Sequence, residues 1–81
     1  NANTCYKHLK GAILKTEPHP ETFVELNHKI DVQSPRCIVI TIEYTIVNDI
    51  NQKVHRECIG THKYSGEGVM NMVDIKDKRI F

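Results

Sequence analysis

Apolar residues recur along this chain at two different periods. Over residues 6–15, Tyr6, Leu9, Ile13 and Leu14 fall at helical spacing, which predicts a short amphipathic helix despite Gly11. Pro18 and Pro20 then interrupt, and because proline lacks an amide donor and extends the residue before it, residues 16–22 read as a loop or an edge. From Thr22 to Val32 the period becomes two: Val24, Leu26, His28, Ile30 and Val32 fall on one side, and Glu25, Asn27, Lys29 and Asp31 on the other. This predicts a strand with one wet face, on whose apolar side His28 reads as a satisfied core histidine.

After Ser34-Pro35, residues 37–47 (CIVITIEYTIV) are dense in β-branched side chains on both alternating sets, the mark of a central strand. Asn48 to Asn51 supply turn chemistry, and Lys53 to Gly60 return antiparallel. A turn centred near Ile50 places Ile46 opposite Val54, Tyr44 opposite Arg56, Ile42 opposite Cys58 and Cys37 opposite Lys63. The same register sets Glu43 against Glu57, an unfavourable pair that argues for a slip of one residue. Residues 63–68 (KYSGEG) read as a second loop, and Val69 to Ile75 as a last strand before a charged tail. Together these elements predict one α+β domain over residues 1–81, a short helix packed on a small antiparallel sheet, with an all-β sandwich as the alternative.

Charge removes several function classes. The 11 basic and 10 acidic residues leave a formal net charge of +1, so no polyelectrolyte surface drives nucleic-acid binding and any RNA contact is local. No run approaches the roughly 18 apolar residues of a membrane span, so no membrane partner is expected, and a start at Asn1 suits a mature secreted protein. At this size a core alone gives a thin stability margin, so covalent help is expected. Cys5, Cys37 and Cys58 form neither a redox nor a zinc pattern, and one disulfide plus one free thiol is the simplest count. Cys37 and Cys58 stand several residues apart in the hairpin, beyond the Cα separation of about 7 Å that a bridge tolerates, which leaves Cys5 as the partner of whichever of the two is oxidised; Cys58 is the expected one because it closes the longer loop. Three buried reduced thiols are the alternative.

The five histidines show no metal-ligand spacing, and no phosphate-binding loop, nucleophile elbow or calcium loop occurs, so no metal or cofactor is expected. What remains is Pro18-His19 ahead of one long strand and Thr61-His62 at the end of another, then Ser65-Gly66. Two histidines meeting over a sheet would supply the base and acid of ribonucleolytic transesterification.

In the order Pro18-His19, Ser34-Pro35, Thr61-His62 and Ser65-Gly66, residues 17–75 resemble the fungal guanyl-preferring ribonucleases and the ribonuclease-like (RALPH) effectors of powdery mildews. The family's catalytic glutamate, shortly after the S-P pair, has no counterpart before Glu43. Its arginine has none in residues 42–47, and its late cysteine falls near Met70 or Met72. The resemblance therefore implies a ribonuclease-like fold without activity, with His19 and His62 as relicts. It implies a secreted effector, translocated into a host cell and monomeric, that binds a host protein or immune receptor. RNA is a further ligand through Lys53, Arg56, Lys63 and Tyr64. The competing readings are a small active ribonuclease using His19 and His62, and an unrelated MAX-type β-sandwich effector, which would show two facing sheets in place of a helix across one.

Overall fold

The computed structural model describes residues 2–64 and 70–80. Helix α1 (Ala2–Thr16) is followed by β1 (His19–Ser34), β2 (Cys37–Val47), β3 (Lys53–Tyr64) and β4 (Met70–Ile80). The strands form one antiparallel sheet in the order β1-β2-β3-β4, each beside its neighbour in sequence. The helix begins four residues before the expected stretch and buries Cys5, Leu9 and Ile13, one residue per turn, with Tyr6 and Leu14 half-buried beside that stripe. At its end the Glu17 amide still donates to the Ile13 carbonyl at 3.1 Å, and Pro18, which cannot donate, stops it.

β2 is central, as its composition predicts. Its exposure alternates along the whole strand, with Ile38, Ile40, Ile42, Tyr44 and Ile46 buried under the helix. Cys58 and His62 of β3 complete the floor. The β2–β3 register is the expected one, with Ile46 opposite Val54, Tyr44 opposite Arg56, Ile42 opposite Cys58 and Glu43 opposite Glu57. The turn is set by Asn48, whose buried Oδ1 accepts from the Ile50 amide at 3.1 Å and the Gln52 amide at 2.9 Å, while Asn51 takes a positive φ of 64°. A helix across a single sheet is not the two-sheet sandwich of the alternative, and the chain is α+β.

Two strand expectations change. β1 carries a register shift between Glu25 and Asn27 that leaves Leu26 as an extra residue. Glu25 thereby joins His28, Ile30 and Val32 on the helix side, and Val24 moves to the opposite face beside Thr45. Nor does β1 have one dry face, because the buried residues among those described come from α1, β2, β3 and the turn after β2, and Ile30 and Val32 remain exposed. β4 extends to Ile80, through the stretch expected as a tail, while the start at Val69 lies outside the described residues.

Three contacts align the helix along β3. Leu9 occupies the space left by Gly60, where an added Cβ would come within 2.8 Å of Leu9 Cδ1. The His8 and His62 rings lie 5.9 Å apart, and Arg56 Nη1 donates to Glu17 Oε1 at 3.0 Å. The helix therefore follows β3 from its His62 end to its Arg56 end. Cys5 lies one turn before Leu9, toward His62, whereas Cys58 lies two residues beyond Gly60, toward Arg56. That opposite displacement separates the expected disulfide pair: Cys5 and Cys58 are both buried and free, and Cys37 is free as well.

Candidate functional site

The residues singled out by sequence do not form one site. His19 pairs with Val47 and His62 with Ile38, nine residues apart on β2, which is a distance of roughly 30 Å. His62 is fully buried beneath the helix, while His19 is half-exposed, with Nδ1 3.5 Å from Glu21 Oε1. Of the four expected contact residues, Lys53 and Lys63 stand at opposite ends of β3 and Arg56 is engaged by Glu17. Tyr64 closes the strand, its amide donating to the Arg36 carbonyl at 2.9 Å. Ser65-Gly66 lies outside the described residues.

The sheet does bring other groups together. On its helix-free face, β2 presents Val39, Thr41, Glu43, Thr45 and Val47, all half-buried, because each alternates with a residue under the helix. Their partners Thr61, Ile59, Glu57, His55 and Lys53 share that face. Here His55 Nε2 lies 2.6 Å from Glu43 Oε2, and Glu57 stands directly across from Glu43. An imidazole and a carboxylate at this distance can pass a proton. A phosphoryl transfer would also need a cation to hold the developing charge; the register sets Lys78 of β4 across from Glu57 in this row, and Lys29 and Lys76 stand at the ends of the next row, on the two edge strands.

A second constellation lies where the helix ends. Thr16, Glu17, Pro18, Asn48, Asp49 and Arg56 line an open cleft of about 370 Å³. Glu17 offers one oxygen to Arg56 and buries the other, Oε2, without a partner. Burial pushes its carboxyl above the usual carboxylate range, Arg56 opposes this and the Asp77 charge adds to it. Burial, together with the Asp77 carboxylate that accepts from the thiol, pushes Cys58 up to about 12, so it stays a neutral, unreactive thiol at physiological pH.

At the edge of the helix, Tyr6 donates to Glu25, and His28 Nδ1 lies 3.1 Å from the other Glu25 oxygen. Burial alone would raise the Glu25 carboxyl, but these hydrogen bonds outweigh it and hold the group below its usual range. The bond to Glu25, then burial, pushes the Tyr6 phenol up to about 12. This cluster ties β1 to α1 and uses up its own polar groups.

Neither ring nitrogen of His62 has a hydrogen-bond partner of normal geometry. Burial depresses its pKa, the neighbouring His8 depresses it further, and the backbone of Gly60 and Ile38 pulls weakly the other way. His62 is a neutral core residue. No family model, curated protein or solved structure matches this chain. The His55–Glu43 pair was within reach of sequence reasoning, since the β2–β3 register sets the two residues one diagonal apart. The Glu17–Arg56 pair, 39 residues apart in the chain, carried no such signal.

Proposed function

We propose that this chain is a secreted, non-catalytic binding domain of the ribonuclease-like effector kind, which engages an extended segment of a host protein or immune receptor along the free edge of β1. The observation that carries this reading is the edge itself. β1 is 16 residues long, ends the strand order, and leaves Val24, Leu26, Ile30 and Val32 between 43% and 59% exposed. A strand added to such an edge gains main-chain hydrogen bonds from the ladder and specificity from alternate side chains. Without a partner the same edge is an aggregation hazard, blunted here by Pro20, the register shifts between His19 and Val24, at Leu26 and between Val32 and Ser34, and charges such as Lys29. The dipeptide resemblance and the helix laid on one antiparallel sheet support the effector context. The wide separation of His19 and His62 supports the absence of catalysis, and the scatter of Lys53, Arg56, Lys63 and Tyr64 argues against RNA as the main ligand.

The experiment has two arms. Extended peptides selected by display on the purified protein should protect the β1 amides from hydrogen exchange and lose affinity at least tenfold with Ile30→Lys. Peptides that protect β4 instead overturn the edge assignment. Incubation with guanine-containing oligoribonucleotides at neutral pH should give no cleavage. Turnover that disappears in His55→Ala would establish the active-ribonuclease alternative on His55 and Glu43.

A further inference from the structure

The helix-free face carries its charges in a pattern that the strand register makes explicit. One row across the sheet runs Lys29, Thr41, Ile59, Lys76, and the next runs Asp31, Val39, Thr61, Asp74. A lysine therefore closes each end of the first row and an aspartate each end of the second, around a centre of four half-buried residues that are all β-branched. The four charged residues are exposed, and among the described residues none of them forms a salt bridge within the chain.

This arrangement is complementary to itself. A two-fold axis lying in the interface between the two rows, perpendicular to the strands, lays each row on the other row of a second copy. Lys29 then meets the Asp31 position of the copy and Lys76 meets its Asp74 position, while Val39 covers Thr41 and Ile59 covers Thr61. The same axis brings the outer rows together, so that Glu57, beside Glu43, meets the position of Lys63, beside Cys37. Every charge contact occurs twice, as an isologous interface requires. Antiparallel strands packed face to face about 10 Å apart, turned by about 30°, are the ordinary geometry of sheet-on-sheet packing.

We propose that this face is the interface of a homodimer. The occupant follows from the charges: a partner chosen for apolar contact alone would have no use for lysines at both ends of one row and aspartates at both ends of the next, whereas a second copy satisfies all of them. Four strands at about 4.8 Å and four rows at about 6.7 Å give a patch of roughly 500 Å² per copy, or about 1,000 Å² in all, at the lower limit of a specific interface. The dimer is accordingly concentration-dependent and sensitive to salt. It leaves the outer edge of β1 uncovered.

Sedimentation velocity on the full chain tests this. The wild type should pass from monomer to dimer with rising concentration, and its dissociation constant should rise with added salt. Lys76→Asp and Asp74→Lys each place like charges together twice in the dimer and should raise that constant at least tenfold. The double variant K76D/D74K exchanges the two signs, restores both contacts and should dimerise like the wild type. Thermal melts check that all three variants keep the wild-type fold, as substitutions at exposed edge positions should. A wild type that stays monomeric at about 500 μM, single reversals without effect, or a double variant no better than the singles would each overturn the proposal.

Discussion

His55 reaches Glu43 at 2.6 Å on the one row of the open face where two carboxylates, Glu43 and Glu57, stand directly opposed. Opposed like charges ordinarily argue against a register, and here a diagonal histidine answers Glu43 while Lys78 of β4 stands across from Glu57. Removing it with His55→Ala should cost a few tenths to about 1 kcal/mol, because the pair is partly solvated. Adding Glu57→Gln should recover most of that loss. Urea unfolding of the two variants and the wild type measures it, and equal losses in both variants would show that the histidine answers no repulsion.

The contact between Leu9 and Gly60 should behave as a fitted pair. A methyl group at residue 60 would come within 2.8 Å of one Leu9 methyl, 3.2 Å of the other and 3.3 Å of the Met72 sulfur. Gly60→Ala should therefore destabilise by about 1–3 kcal/mol through overpacking. In the background of Leu9→Ala, which opens the space, the same substitution should cost far less. A double-mutant cycle with additive costs would contradict the contact.

Burial and the nearby His8 hold the His62 pKa below its ordinary value of 6.5 in the folded chain. The unfolded chain therefore binds a proton that the folded chain refuses, so stability from this residue is complete above about pH 6.5 and is lost as pH falls below it. Melting temperature should decline between about pH 7 and pH 5, above the main carboxylate range. His62→Leu should flatten that slope. An unchanged slope in the variant would assign the acid sensitivity elsewhere.

The three thiols should separate by accessibility. Cys37 is half-exposed and should react with a disulfide reagent in the native state, whereas Cys5 and Cys58 should react only on unfolding. Non-reduced peptide mapping should find no Cys5–Cys58 link.

How much of this was legible in the sequence follows from how local each signal is. The alternation of Ile38 to Ile46 and the turn residues from Asn48 to Asn51 are local, and they predicted the central strand and the β2–β3 register. The bulge at Leu26 was not visible, because Val24, Leu26 and Ile30 keep a period of two straight through it. The β1 face was misread for a related reason: an apolar residue announces that it can be buried, but not whether the helix is wide enough to cover it. Sequence proximity to proline and threonine drew His19 and His62 together as a pair, and only the meander shows them at opposite ends of the sheet. The open-face grid needs all three registers at once, and the β3–β4 register includes a shift after Thr61 that no local pattern encodes.

The meander has a consequence for the order in which the chain folds. Because every strand pairs with its sequence neighbour, only short loops have to close, and the entropy of closing them is met in small increments. The β2–β3 hairpin holds the preset Asn48 turn and most of the floor of the core, so ordering begins there. α1 has no floor for Cys5, Leu9 and Ile13 until Ile38 to Ile46 and Cys58 lie side by side. The segment that precedes the sheet is thus the last to dock, and until the whole sheet is made it stays an uncovered amphipathic stretch, too short to hold a helix alone.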